Sequence, residues 1–349
     1  MNDLRLRLTQ NVGFLLAIGM FLALYVAYNF MHPSGFSGRL FLQNMNESFA
    51  LIMAGMAQTV PVLLGGLDLS VGPMMTMVNC LASELLNGSI WEILLGVVIC
   101  MAVGALGGFV NGCIVVLGRI QPIIATLATG AIFVGIALFL RPTPGGDVDG
   151  DFSWAMTNDM NELGYTYGWW EDIGGIGLVP IPFILLVLIV VAFWLPFKRS
   201  TTGRGCYAIG SAEPAAYMSG VNINRSKIAA FTLGGLFAAC GGIYLALQTG
   251  SGNADLAQAG QYTLLSIAAV VIGGTSLFGG IGGCVGTIFG ALVLRAISFM
   301  FRVFDPESAL GFLSDPLLQP LVEGLILLFA VSLGAAKVLR ERNRLSLFS

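Results

Sequence analysis

Apolar residues gather along this chain in runs of about 20 that charged residues rarely interrupt, the length a helix needs to cross a bilayer. Ten runs stand out, over about 12–31, 47–65, 71–87, 90–117, 121–140, 178–196, 227–249, 262–278, 283–302 and 316–336. The second and third nearly touch, as do the eighth and ninth. Each close pair meets at a glycine break, Gly65-Gly66 and Gly279-Gly280. A break at membrane depth must have its freed backbone groups satisfied by protein or by a water-filled cavity. The pattern predicts an all-α polytopic membrane protein, one transmembrane domain over 1–349 with an outer loop at 142–177 and an inner loop at 197–226.

Composition agrees. Of 349 residues 56% are hydrophobic and 10% charged, with a mean hydropathy of +0.86, whereas a soluble domain carries about 25% charged residues. A net charge of −3 suggests no nucleic-acid partner. The six cysteines lie mostly in apolar runs without CxxC spacing, and His32 is the only histidine. Neither a metal site nor a disulfide framework is expected. The first apolar run is long enough to remain as a span, and no cleavable signal is expected.

Basic residues mark the cytoplasmic side of short loops. With the N-terminus inside, Arg5, Arg7, Arg119, Lys198, Arg199, Arg204, Arg225, Lys227, Lys337, Arg340, Arg342 and Arg344 fall there, 12 of the chain's 16. The outer loop holds Asp147, Asp149, Asp151, Asp159, Glu162, Glu171 and Asp172 and no Lys or Arg. Both termini are therefore expected in the cytoplasm, as an even number of spans requires. The outer loop's Trp154, Tyr165, Tyr167, Trp169 and Trp170 suit the bilayer interface, or else a docking surface for an outer partner.

A weak repeat relates Val62-Leu63-Leu64-Gly65-Gly66-Leu67-Asp68-Leu69 to Val270-Val271-Ile272-Gly273-Gly274-Thr275-Ser276-Leu277, at an offset of 208 (273 minus 65). A repeat unit of five spans would make the two halves inverted.

No GxxxxGK[ST] occurs, so ATP, if used, must bind another chain, and no GxSxG or HExxH supports an enzyme. Three stretches carry the chemistry instead. In Gly65-Gly66-Leu67-Asp68-Leu69-Ser70-Val71-Gly72 the glycines permit a sharp break. Asp68 and Ser70 can cap the following helix, and Asp68 reads first as a cap and second as a solute or proton site. In the inner loop, Ser211 reads as an N-cap, Pro214 as an early helical position and Gly220 as the stop. The resulting helix is too short to stand alone and suits docking into a partner, or is an ordinary surface helix. The third stretch, Leu264 to Gly280, includes Gly273, Gly274, Thr275 and Ser276, small residues that allow close helix approach.

Together these stretches resemble the membrane subunits of ribose/xylose-type sugar ABC importers, the binding-protein-dependent transport system inner membrane component family. The family patterns are GG-[IL]-DLSVG, TxxGRxxYAIGxNxxAAxxSGI and IAAVVIGGTSLxGG. Asn111-Gly112 and the run Ile120 to Leu127 resemble the family too, and the match covers roughly 45–335 in order. This chain departs from the pattern at Ala212-Glu213-Pro214, at Tyr217, where the family has Arg, and at Phe299-Met300. The resemblance implies a permease in the bacterial inner membrane and no cofactor of its own, since ATP and Mg bind an ABC ATPase partner. It also implies a periplasmic or lipid-anchored solute-binding protein and a second permease copy or paralogue. It makes 211–220 the coupling helix, with Arg204, Ser211, Glu213, Pro214, Ala215, Ala216 and Gly220 engaging the ATPase. Gly65, Gly66, Asp68, Ser70, Gly273, Gly274, Thr275 and Ser276 then lie on the translocation path.

Two intramembrane charges need partners. Arg295 and Glu323 each lie about 10 Å below the outer surface at 1.5 Å per residue, and an interhelical ion pair is expected. The rival reading is an ion-coupled secondary transporter with Asp68, Glu84, Glu92 or Glu323 as proton sites.

Overall fold

Local signals start and stop most helices where the pattern places them. A computed structural model describes residues 12–303 and the isolated positions 318, 321, 324, 325 and 328. The expected tenth span, Glu323, Arg5, Arg7, Lys337, Arg340, Arg342 and Arg344 fall outside the described residues, apart from those isolated positions in 316–336. Among the described residues there are twelve helices: α1 (Val12–Met31), α2 (Gly38–Leu63), α3 (Val71–Leu85), α4 (Ile90–Leu117), α5 (Pro122–Leu140), α6 (Gly150–Thr157), α7 (Met160–Tyr167), α8 (Ile181–Arg199), α9 (Thr201–Met218), α10 (Ile223–Thr249), α11 (Leu256–Ile272) and α12 (Cys284–Val303).

Capping explains the boundaries. Ser37, Asp149, Asp159, Ser200, Asn222 and Asp255 each accept a backbone N–H of the first turn they precede. Glu92 accepts from both the backbone N–H and the hydroxyl of Ser89, fixing the start of α4. Gly168 and Gly250 end α7 and α10 in the left-handed conformation. Helix α2 begins at Gly38 rather than near 47, because Asn46 and Glu47, which break the apolar run, are helical and have partners. The Tyr244 hydroxyl donates to Asn46, and Glu47 pairs with Arg302 at 2.6 Å. Helix α11 ends at Ile272, short of 278, because the Gly273-Gly274 pair stops it.

Six of these helices are long and apolar enough to span a membrane: α1, α4, α5, α8, α10 and α12. Helices α2, α3 and α11 differ for a physical reason. They sit inside the bundle, where neighbours rather than lipid solvate them, so they tolerate polar residues or need less length. Helix α2 buries an unbroken run from Ser48 to Leu63, and α3 and α11 are only 15 and 17 residues long. The outer helices point Leu95, Leu106, Ile124, Leu127, Phe139 and Leu188 outwards, all more than half exposed. Such faces need a hydrocarbon solvent, so the chain is a polytopic membrane protein.

Helix α10 runs against α4 through glycines on both. Gly104, Gly108 and Gly112 form a ladder on one face of α4, and a Cβ on Gly112 would lie 2.7 Å from the Ile228 Cα. A Cβ on Gly108 would overlap the Phe231 carbonyl oxygen, and one on Gly235 would overlap the Gly104 carbonyl oxygen. The two backbones thus touch directly, as small residues at four-residue spacing allow. Residues 145–149 fold back over the C-terminal ends of α3 and α10. Five backbone hydrogen bonds hold them: Gly145 and Gly252 exchange two, and Asp147, Val148 and Asp149 donate to Ser83, Gly250 and Leu86. The Arg141 guanidinium reinforces this rim, donating to Ser83 and pairing with Glu84 at 2.8 Å.

Candidate functional site

Both glycine breaks are built on the same cap. After α2, Gly65 has φ +78° and donates to the Val62 carbonyl, while Gly66 donates to Pro61. After α11, Gly274 has φ +82° and donates to Val271, while Thr275 donates to Val270. Each is a Schellman turn, and the positive φ is why glycine stands at 65 and 274. The equivalent residues are therefore 209 apart (274 minus 65), one more than the sequence match gave. The breaks also meet. The Leu63 carbonyl, one of the last-turn acceptors α2 cannot use itself, accepts the Gly280 N–H at 3.0 Å.

Between the first break and α3 lies a buried polar network. Asp68 Oδ1 accepts the Ser70 N–H at 2.8 Å and the Ser70 hydroxyl at 2.6 Å, and Ser70 Oγ accepts from Asn111 Nδ2 at 2.8 Å. Asp68, Ser70 and Asn111 are each at most 2% exposed. The Leu69 N–H donates to Thr126 Oγ1, and the Gly72 N–H to Thr263 Oγ1. With its amide nitrogen turned toward the Asp68 carbonyl, Gln58 donates there at 2.8 Å and accepts the Asp68 N–H at 3.2 Å. Asp68 thus fixes the turn leading into α3. Ser70 occupies the N-cap position but makes no side-chain bond to α3.

The second break curls around its own hydroxyls. Thr275 Oγ1 accepts the Gly283 N–H at 3.1 Å, Ser276 Oγ accepts the Phe278 N–H, and the Ser276 N–H donates to Ile281. Gly273 packs backbone to backbone against Gly286 of α12.

Helix α9 lies across these breaks and carries the inner-loop residues. It is kinked at Ala212, whose φ of −163° and ψ of 99° are extended. The kink corrects the expected cap: the Ser211 hydroxyl donates back to the Tyr207 carbonyl at 2.9 Å instead of capping the second segment. That segment stops as expected at Gly220, with φ +79°, its N–H donating to Tyr217 and that of Val221 to Ala216. From Ser211 to Gly220 every residue but Ala216 is exposed, including Tyr217 at 70% and Met218 at 84%. Arg204 is exposed too, while burial pushes the Cys206 thiol up to about 12, leaving it a protonated packing group. Glu213 pairs with Lys227 of α10 at 2.6 Å. Beside that pair opens a cavity of about 470 Å³, lined by Gly65, Gly66, Arg119, Gln121, Glu213 and Lys227 among others.

The structure brings Gly65 and Gly66 beside the second break and α9, whereas Asp68 and Ser70 turn to Gln58 of α2 and Asn111 of α4. Arg295 stands apart on α12, beside Tyr262, and its Nε meets no acceptor among the described residues. Of the rival proton sites, Glu84 is paired with Arg141 and Glu92 caps α4. Sequence reading missed Gln58 and Thr126, which the site uses. The glycine spacing 104–108–112 was visible in the sequence and would have located the α4–α10 seam.

Residues 40–331 match the family described as branched-chain amino acid transport system / permease component. The chain is 33% identical over 332 residues to the ribose import permease protein RbsC of Bacillus subtilis, covering 93% of this chain and 94% of that one. It is 32% identical over 302 residues to the fructose import permease protein FrcC of Rhizobium meliloti, covering 86% and 78%. It is 26% identical over 317 residues to the autoinducer 2 import system permease protein LsrD of Escherichia coli O9:H4, covering 89% and 92%. No solved structure matches it.

Proposed function

The chain belongs to the branched-chain amino acid transport system / permease component family, and from that premise we propose that it is the translocation subunit of an ABC importer for a sugar or similar small polar solute. ATP is hydrolysed by partner subunits, and alternating access carries the solute through. The observation that carries this reading is the exposed, kinked second segment of α9, tipped by Tyr217 and Met218 and backed by the glycine breaks. A surface helix with no such role would have no reason to project its large apolar residues. Sugar as the cargo class rests on the ribose and fructose permeases among the relatives. We read the chain as lying in a bacterial inner membrane with both termini on the cytoplasmic side. Arg119, Lys198, Arg199, Arg204, Arg225 and Lys227 support this, since they mark the end of the bundle where α9 lies. The acidic, aromatic outer loop suits contact with a solute-binding protein, and a second permease copy or paralogue completes the core.

Helix lengths support an inverted repeat of two five-span halves. Helices α1, α2 and α3 have 20, 26 and 15 residues, and α8, α10 and α11 have 19, 27 and 17. The glycine breaks are not mates in that scheme, because inverted halves would set equivalent ends on opposite membrane faces.

The test is uptake of radiolabelled ribose and fructose into vesicles holding the permease, its ATPase and its binding protein. Accumulation should require hydrolysable ATP and survive collapse of the proton gradient. Uptake by the permease alone would sink the reading. We propose that Arg295 pairs with Glu323, which lies outside the described residues: either single charge removal should lower uptake and the exchange Arg295→Glu with Glu323→Arg should restore much of it. An exchange no better than the single changes would exclude the pair.

A further inference from the structure

We propose that Gly210 is a positioning residue through which movement of α9 reaches both glycine breaks at once. The proposal rests on reading α9 as the ATPase contact. Gly210 lies just before the Ala212 kink, on the side of α9 facing the bundle. A Cβ there would overlap the Leu63 carbonyl oxygen at the end of α2 and the Gly280 N–H, the two groups hydrogen-bonded to each other. A Cβ on Gly279 would in turn lie 2.8 Å from the Gly210 Cα and 2.8 Å from the Gly65 nitrogen. Four segments therefore meet with no side chain between them: α9, the end of α2, the first break and the second break.

Side chains can absorb a displacement by changing rotamer, whereas close-packed backbone transmits it. The contact has a second point nearby, where the Tyr207 hydroxyl donates to the Gly282 carbonyl at 2.9 Å. Beyond the kink, residues 213–220 stand clear of the bundle, apart from Ala216 and the Glu213–Lys227 pair. A push on that exposed segment pivots α9 against the Leu63–Gly280 joint. From there it passes along α2 to the Asp68 turn, which Gln58 of α2 holds by its backbone, and along the second break to α12. One displacement thus reaches the α2–α3 and the α11–α12 connections together.

The test uses the full-length permease with its ATPase in nanodiscs and needs no solute. Phe278, 63% exposed in the second break, is changed to cysteine as a reporter. Labelling by a polar maleimide is timed without nucleotide and with ATP and vanadate. With Phe278→Cys alone the rate should change about fivefold or more, the lower end of a coupling between sites. Adding Gly210→Ala should reduce the change to under about twofold while ATP hydrolysis stays within about twofold of the parent. Tyr207→Phe removes one hydrogen bond without adding volume and should weaken the response partway; it decides the matter if Gly210→Ala fails to assemble. A nucleotide response that stays at about fivefold or more in Gly210→Ala, or is undiminished in Tyr207→Phe where that variant decides, overturns the proposal. So does a reporter indifferent to nucleotide in the parent, or hydrolysis lost in step with the response. Failure of ribose or fructose uptake would strike the cargo reading and leave this result standing. Failure of the ATPase to bind would strike the proposed function itself.

Discussion

Replacing Asp68 by alanine is expected to lower ATP-driven uptake by roughly tenfold or more, because two buried donors on Ser70 lose their acceptor at about 1–3 kcal/mol each. The Ser70 N–H and hydroxyl have no water to turn to, since Ser70 is fully buried and Asp68 is 2% exposed. The loss propagates through Ser70 Oγ to Asn111 of α4, so the start of α3 loosens from α4 as well. The informative companion is Asp68→Asn, which keeps an acceptor oxygen and removes the charge. If Asp68 only holds the turn, asparagine should retain most of the uptake and alanine should not. Equal loss in both, at normal membrane abundance, would mean that the carboxylate itself is needed, as a proton-coupled carrier requires. Uptake rate normalised to purified protein is the measurement.

The second large effect is expected at the α4–α10 seam. Gly108→Val should abolish a stable, monodisperse protein in detergent. Its Cβ would meet the Phe231 carbonyl oxygen, a backbone atom that no rotamer change can move aside. Ordinary overpacking costs about 1–3 kcal/mol, and here relief requires parting two helices along a shared face of glycines. Gly135→Val on α5 is the control, since nothing lies within 4 Å of a Cβ built there. Fluorescence-detected size exclusion and thermal unfolding should separate the two variants. A Gly108→Val protein that elutes and melts like the control would show that the seam has slack.

What the sequence made readable follows from how local each cause is. The bounds of α4, 90–117, could be read without a partner because its apolar run starts at the Ser89–Glu92 cap and ends at Gly118. The start of α2 could not, because Asn46 and Glu47 are made compatible with a helix by Tyr244 and Arg302, distant in the chain. At the site, the tie between Asp68 and Ser70 spans two residues and was open to inspection. Thr126 and Asn111 were hidden, since their contribution depends on α4 and α5 folding back. The sequence match paired Gly65 with Gly273, whereas the turns pair it with Gly274, because four glycines present several ways to align. Only the backbone shows that Gly65 and Gly274 share the left-handed conformation. Ser211 misled for a related reason: a serine before a proline suggests a cap, but its hydroxyl turned back into the preceding turn.

The stitching of residues 145–149 across the C-terminal ends of α3 and α10 has a mechanical consequence. That rim is sewn by five backbone bonds, while a single backbone bond links the two glycine breaks at the opposite end. Compliance is therefore unequal along the molecule. A load applied at α9 meets the more sparsely bonded end first, and the collar at 145–149 is the fulcrum about which the helices would swing.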